Sequence, residues 1–150
     1  DDRLVQVLKK LDKNEKEILL FSECFKTSAK LPHHERLALI GDRLKEVIKK
    51  WKPEQLATEK LFFAGNQKTA LLVSEARGVI LYIGSSLGLE IFEYRPNEIK
   101  IAITGYGSAE KKQIMDMTRK LIKIDSKTNS DDELDAIAIG LTHFATHRFK

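Results

Sequence analysis

The carboxylates near the end of the chain have the spacing of a cation site. The stretch "NSDDELDAIAIGLTHF" opens a helical pattern with Asp131, Asp132 and Glu133, and Asp135 follows one turn further in. Carboxylates at positions i and i+3 of a helix point the same way, so Asp132 and Asp135 repel each other unless a cation bridges them. Hard divalent ions such as Mg²⁺ take oxygen ligands of this kind. A divalent metal site at the start of this helix is therefore one interpretation of the pattern.

Helix capping is the other interpretation of the first three acids. Ser130 and Glu133 match a capping box, and acids in a first turn stabilise the positive end of the helix dipole. Asp135 lies too deep for a cap, and it shares a face with Ile139 and His143, which predicts partial cover of that face. The remaining face of the helix is apolar and is formed by Leu134, Ile137, Ala138, Leu141 and Ala145.

A further carboxylate, Glu59, falls within the short apolar strand predicted for "QLATEKLFF". Strand alternation puts it on one face with Ala57 and Leu61. Glutamate is rarely fully buried unless it is paired or ligating, so Glu59 is either a metal ligand or a residue at a half-exposed strand end. Phe62 and Phe63 follow it. Paired phenylalanines usually belong to the core, but one at a loop tip could stack on DNA bases, for roughly 1–3 kcal/mol per base.

Basic residues gather before the last helix. In "GYGSAEKK", Ser108 is the predicted N-cap of a helix whose first turn carries Lys111 and Lys112. The helix dipole favours anions at that place, so free N–H groups and ammonium groups together would form an anion site. Residues 95–130 contain eight basic and four acidic side chains, and the whole chain has a net charge of +4. The alternative is an ordinary solvated face, since scattered lysines are common on protein surfaces.

Strand and helix patterns alternate along the sequence and predict an α/β fold in one domain, residues 1–150. "LVQVLKK" and "ILLFSECFKT" predict two strands, with a helix over residues 4–11 as the alternative. The remaining pattern predicts a helix in "HHERLALIGDRLKEVIKKW", the strand of Glu59, a helix in "QKTALLVSEARGVILYIGSSLG", a strand in "LEIFEY" and two final helices. Pro96 is predicted to open a short helical turn, "PNEIKIAIT", before the last two helices.

Composition excludes several classes of protein. Cys24 is the only cysteine, so no internal disulfide can form, and its apolar surroundings predict a buried thiol. No stretch approaches the roughly 20 apolar residues of a membrane span. The first residues, "DDRLVQVLKK", lack the apolar segment of a signal peptide. We therefore expect a cytoplasmic protein with no membrane partner.

Taken together, these stretches resemble the RuvC family of bacterial Holliday junction resolvases. The resemblance rests on "ATEKLFFAGNQKTALLVSEARGVIL", "IFEYRPNEIK", "GYGSAEKKQIMDMTRKLIKI" and "DDELDAIAIGLTH", and it runs from about Ile18 to the end. It implies a ribonuclease-H-like fold, with a mixed sheet flanked by helices, and a homodimer. It also implies a crossover junction endodeoxyribonuclease of DNA recombination and repair, which nicks four-way junctions symmetrically with Mg²⁺ or Mn²⁺. The implied protein partner is the RuvA–RuvB branch-migration motor.

The resemblance implies four acids that hold metal ions and carry out catalysis. Three of them correspond to Glu59, Asp132 and Asp135. The fourth lies in a G-x-D-x-G motif on the family's first strand, and counting back places it at or just before residue 1. Three alternatives follow: the sequence as given begins after that strand, Asp1 or Asp2 replaces the acid, or the chain binds branched DNA without cutting it.

The resemblance also implies residues that contact DNA. The family's DNA-contacting lysines correspond to Lys100 and Lys111, and its junction-probing phenylalanine corresponds to Phe62. Lys112 joins them as the second lysine of the basic first turn. Two rival interpretations remain: a junction-binding protein without cleavage, and a structural domain whose acids are only helix caps. The depth of Asp135 in its helix argues against the second.

Overall fold

The computed structural model describes residues 3–11, 16–60, 67–125 and 130–147. Its elements in these ranges are β1 (Arg3–Leu11), β2 (Glu17–Lys26), α1 (His33–Trp51), β3 (Gln55–Glu59), α2 (Gln67–Ser86), β4 (Glu90–Tyr94), α3 (Pro96–Thr104), α4 (Lys111–Leu121) and α5 (Asp131–His147). The predicted α/β class is confirmed, and residues 4–11 lie in a strand rather than a helix. Asn66 precedes α2 and is of a residue type that often caps helices, but it lies outside the described residues.

The strands pair in two sheets of two, β1 with β2 and β3 with β4. The Glu90 N–H donates to the Glu54 carbonyl at 2.9 Å, and the Lys60 N–H donates to the Tyr94 carbonyl at 2.8 Å. Both indices rise together, so β3 and β4 run in parallel, with α2 as the crossover that such a pair requires. Glu59 is the last residue of β3 and therefore lies at the carboxyl end of this sheet.

The chain divides into two compact units. The first comprises Asp1–Leu4, Phe25–Leu56 and Leu61–Ile91. In it α1 packs on α2 around a buried cluster of Ile40, Leu44, Ile48, Ile83 and Leu89. A Cβ at Gly41 would lie 2.9 Å from the Ile83 side chain, so the bare backbone at this position lets the two helices approach closely.

The second unit comprises Val5–Cys24, Ala57–Lys60 and Phe92–Lys150. In it α3, α4 and α5 pack on one another, and their buried core consists of Tyr94, Ile99, Ile103, Ile122, Ile137, Ala138 and Leu141. The apolar face predicted for α5 is buried from Leu134 to Leu141, but Ala145 is exposed. Thr142 and His143 are buried instead, and the His143 ring packs against the aromatic rings of Phe92 and Tyr94 on β4.

The helical segment predicted over "PNEIKIAIT" is confirmed as a helix of 9 residues, stabilised at its start by a 2.6 Å hydrogen bond from the Arg95 N–H to the Glu98 carboxylate. One local prediction is corrected. Cys24, predicted to be buried, is half-buried on β2. Among the described helices, none is long and apolar enough to cross a membrane.

Candidate active site

The candidate site lies in the second unit, where α5 begins. Asp131 is the first residue of α5 and is exposed, whereas Asp132 and Asp135 are half-buried. Burial raises the pKa of the Asp135 carboxyl, the Lys111 ammonium lowers it, and the charges of Asp132 and Asp131 raise it again, with a net upward shift. Asp132 and Asp135 therefore repel each other, as expected for carboxylates three residues apart on a helix.

Glu59 reaches the same region from the sheet. Glu59 is exposed as a whole residue, yet partial loss of hydration raises the pKa of its carboxyl, and the charge of Asp135 raises it further. The end of β3 and the first turns of α5 thus bring two carboxylates within electrostatic range. The charge of Asp135 disfavours the ionised form of Glu59, and a cation between them would relieve that cost.

The donor chemistry fits a hard divalent ion, since Glu59, Asp132 and Asp135 offer only carboxylate oxygens. The assembly is partial: within the described ranges, no group of three or more His, Cys, Asp or Glu side chains is placed so that it could hold a metal ion. Asp1 and Asp2, the candidates for a fourth acid, lie outside those ranges. The described site therefore presents repelling carboxylate pairs rather than a complete ligand set.

Lys111 supplies the positive charge of the site. Its Nζ lies 3.8 Å from Oδ2 of Asp135 and 3.9 Å from Oδ2 of Asp131. The lysine starts α4 and both aspartates belong to the start of α5, so these ion pairs join the N-termini of two helices. Lys111 and Asp131 are exposed and Asp135 is half-buried, so solvent screening limits each pair to about 0–1 kcal/mol of stability. Their main consequence is placement of an ammonium group beside the carboxylates.

The cap predicted for α4 is wrong. Glu110 rather than Ser108 is the N-cap, and its N–H donates to the Gln113 side chain at 2.8 Å. This contact satisfies the start of the helix locally, so the hydroxyl of Ser108 is not needed there. Lys111 and Lys112 still occupy the first turn, as predicted. Part of the predicted anion site is nevertheless taken up by the helix's own capping groups.

The other predicted site residues are placed less centrally. Lys112 is exposed beside Lys111, and Lys100 is half-buried on α3, where it forms no ion pair with the described acids of α5. Phe62 lies outside the described residues. Glu133, considered above as a capping residue, accepts a 2.7 Å hydrogen bond from the Ser22 hydroxyl of β2. That bond ties the first turn of α5 to β2.

Sequence reasoning missed two features of this region. Asp131 was explained as a helix-dipole acid, but it also contacts Lys111; no spacing rule links residues so far apart. Tyr94, His143 and His147 form a hydrogen-bonded cluster between β4 and α5. The signal for it was present in the i, i+4 spacing of the two histidines on one helix face.

Replacing Glu59 with glutamine is expected to raise the melting temperature at neutral pH in the absence of divalent ions. The folded protein raises the pKa of Glu59 above its ordinary value of 4.5, so the folded state binds the proton more tightly than the unfolded chain. Stability therefore falls as pH rises from about 4.5 through the raised pKa. Glutamine is uncharged at every pH, so it removes the free-energy cost of holding an ionised carboxylate at this position. Thermal melts at pH 7.5 and about pH 4 measure it, and equal shifts at both pH values would contradict this cause.

A family model described as crossover junction endodeoxyribonuclease RuvC matches residues 6–143. The chain belongs to the RuvC family. A RuvC from Fusobacterium nucleatum is 42% identical over 132 residues, which cover 88% of this chain and 69% of that protein. A RuvC from Halothermothrix orenii is 43% identical over 122 residues, covering 81% of this chain and 74% of the relative. The family resemblance drawn from the sequence motifs is thereby confirmed.

Solved structures agree with this membership in the RuvC family. The structure of T. thermophilus RuvC in complex with Holliday junction substrate matches with a TM-score of 0.88 and 31% identity, covering 97% of this chain and 88% of that one. A second structure of Thermus thermophilus RuvC matches with a TM-score of 0.84 and 32% identity, with the same coverage of both chains. The predicted ribonuclease-H-like fold is confirmed by this similarity.

Proposed function

We propose that this chain is a structure-specific endonuclease that nicks four-way DNA junctions symmetrically, with Mg²⁺ as its metal ion and Mn²⁺ as a substitute. The observation that carries the proposal is the meeting of Glu59, Asp135 and Lys111 in a chain of the RuvC family. Two carboxylates whose pKa values are both raised, that of Glu59 partly by the charge of Asp135, suit a divalent cation, and the ammonium group beside them suits a phosphate. The chain is proposed to act as one nuclease domain over residues 1–150.

Glu59, Asp132 and Asp135 are the residues proposed to hold the metal. A divalent ion bound there would activate a water molecule and stabilise the leaving oxygen of the phosphodiester. Glu59 presents its carboxylate from the end of β3, and Asp132 and Asp135 present theirs from the first turns of α5. Lys111, at 3.8 Å from Asp135, is close enough to contact the scissile phosphate and to offset negative charge that develops on it.

DNA contacts are proposed for the basic residues around the acids. Lys112 extends the positive charge of the first turn of α4, and Lys100 adds a second cation from α3. Contacts of this kind track the phosphate backbone and weaken as salt increases. Phe62 is proposed to sense the open centre of the junction through stacking.

A homodimer fits the proposed chemistry, because two symmetric nicks in one junction require two matched sites. Helix α2 offers a surface for it. Leu71 is 60% exposed and Tyr82 is 73% exposed, and Gly78 between them has open space around its missing Cβ. Leu71 and Gly78 are seven residues apart, and Gly78 and Tyr82 are four apart. At these spacings the three residues lie on one face of the helix. The small residue would let a second copy approach closely.

Substitution of Leu71 with glutamate is expected to convert the dimer into monomers, since it places a charge in the proposed apolar contact. Leu121, which is 49% exposed on α4, provides the matched control, and its glutamate variant is expected to remain dimeric. Sedimentation equilibrium of both variants measures the difference. Dimers that persist in Leu71→Glu with unchanged affinity would rule out this face of α2.

The activity is tested with a labelled four-way junction and a linear duplex of the same sequence, incubated with this chain and Mg²⁺. The proposal predicts selective binding of the junction and paired nicks in opposite strands. No nicking of the junction with Mg²⁺ or Mn²⁺, in protein that is folded, contradicts it.

A second candidate function is junction binding without cleavage. It is favoured by the partial ligand set, since the described acids do not form a group of three that could hold a metal. Tight junction binding with no nicks in the same assay would support this alternative.

The remaining parts of the proposal concern location and partners. A DNA substrate in a bacterial cell suits a cytoplasmic protein. Cooperation with the RuvA–RuvB branch-migration motor, which the family resemblance implies, is the proposed protein partnership.

A further inference from the structure

A compact hydrogen-bonded cluster lies between β4 and the last turns of α5, away from the acids. The Tyr94 hydroxyl lies 2.6 Å from Nδ1 of His143 and 3.1 Å from Nδ1 of His147. Nδ1 of His147 also lies 3.2 Å from the His143 carbonyl. Tyr94 is 5% exposed and His143 is 6% exposed, so these contacts are sheltered from competing water.

The protons of the cluster can be assigned from its geometry. If Nδ1 of His147 carries a proton, it donates to the His143 carbonyl and to the Tyr94 oxygen. The single hydroxyl proton of Tyr94 is then free to be donated to Nδ1 of His143, at the shortest of the three distances. This arrangement satisfies every contact and requires neutral His143 with its proton on Nε2.

Ring packing fixes the same three residues. The Phe92 ring centroid lies 4.5 Å from those of both His143 and His147, and the two imidazole rings are themselves 4.5 Å apart. Aromatic pairs at such distances are stabilised beyond the effect of their buried area. Rotation or sliding of α5 along β4 would break both the packing and the hydrogen bonds.

Tyr94 is attached to both elements that carry the acids. Its backbone carbonyl accepts the N–H of Lys60 at 2.8 Å, and Lys60 directly follows Glu59. Its side-chain hydroxyl contacts His143, which lies on the same helix as Asp135. One residue of β4 therefore connects the strand of Glu59 to the helix of Asp135.

We propose that Tyr94, through its hydroxyl contact with His143, is a positioning residue that sets the register of α5 and thereby the spacing of the carboxylates of Glu59 and Asp135. This inference rests on the proposed function, because it concerns the same metal site. It assigns no contact between Tyr94 and the metal or the DNA. Its consequence is that metal affinity depends on a hydroxyl group whose partner, His143, lies about two helical turns along α5 from Asp135.

The test is the affinity of the full chain for Mn²⁺, measured by titration calorimetry. Tyr94→Phe keeps the ring and removes only the hydroxyl. We expect it to weaken Mn²⁺ binding by about threefold to tenfold, the range corresponding to loss of one buried hydrogen bond. Thr142→Val is the matched control, since its buried hydroxyl donates at 2.8 Å to Ala138 within α5 itself. We expect the control to lose thermal stability but to bind Mn²⁺ within about twofold of wild type.

A pair of substitutions at His143 serves if Tyr94→Phe does not fold. His143→Asn keeps an amide oxygen that can accept the Tyr94 hydroxyl, and it is expected to retain most of the Mn²⁺ affinity. His143→Ala is expected to lose about as much affinity as Tyr94→Phe. Equal affinities for Asn and Ala at this position overturn the inference.

The outcomes separate the inference from the proposed function. If the wild-type protein binds Mn²⁺ and both Tyr94→Phe and Thr142→Val change the Mn²⁺ affinity equally, the positioning role alone is overturned. No Mn²⁺ binding by folded wild-type protein would overturn both. A selective loss in Tyr94→Phe, with the melting temperature lowered similarly in both variants, supports the inference.

Discussion

Replacement of Asp135 with asparagine is expected to lower the rate of junction cleavage by at least about a hundredfold and to leave junction affinity within about twofold. Asparagine preserves the volume of the side chain but removes the charge that a divalent ion requires. The fold should tolerate the change, because in the absence of metal the ionised Asp135 is already disfavoured by burial and by Asp132. Single-turnover cleavage and filter binding of one labelled junction measure the two effects.

Asp116→Asn provides the control for that substitution. Asp116 is exposed on α4, apart from the carboxylates that meet at the start of α5, so its variant is expected to cut like wild type. If Asp135→Asn cut at the wild-type rate, Asp135 would not be a metal ligand. If it failed to bind the junction at all, its role would be structural.

The second large effect is expected from Lys111→Met, which should lower the single-turnover rate by about a hundredfold with little loss of affinity. The ammonium group stands 3.8 Å from Asp135, and removal of one group that stabilises developing charge costs about 10²–10³ in rate in other enzymes. Methionine keeps most of the length of the side chain. The rate is measured at saturating protein, so that weaker binding cannot imitate a slower step.

Lys112→Met is the control for Lys111→Met, because Lys112 lies next to Lys111 in the first turn of α4 and only Lys111 is paired with Asp135 among the ion pairs described. Its expected result is weaker junction binding, with a salt dependence less steep by about one unit, and a saturated rate close to wild type. The opposite assignment, in which Lys112→Met slows cleavage and Lys111→Met only weakens binding, would contradict the proposed role of the ion pair with Asp135.

Periodicity predicted the fold where one physical cause dominated. The apolar stripe of Leu44, Val47 and Ile48 predicted α1, and these residues are buried. The apolar run "ILLFSECFKT" predicted β2, and a strand is found over Glu17–Lys26. Prediction failed where local contacts compete: Ser108 is a good cap by type, but Glu110 with Gln113 forms the observed start of α4.

Prediction of the site depended on the kind of contact involved. The repulsion of Asp132 and Asp135 follows from helix geometry alone. In the structure, the charge of Asp132 raises the pKa of Asp135, as that geometry predicts. The approach of Glu59 to Asp135 requires β3 to end beside α5, which the family resemblance implied and spacing could not. The contact of Lys111 with Asp131 and the hydroxyl bridge of Tyr94 are tertiary contacts. The i, i+4 spacing places His143 and His147 on one helix face, but it does not predict that Tyr94 meets them.

The most direct test of the account is a four-way junction with all four strands labelled, incubated with wild-type protein and Mg²⁺ under single-turnover conditions. The account predicts nicks at symmetric positions in two opposite strands, giving duplex products that a ligase can seal, and their loss in Asp135→Asn. Wild-type protein that is folded and binds the junction but leaves all four strands intact with Mg²⁺ and with Mn²⁺ would contradict it.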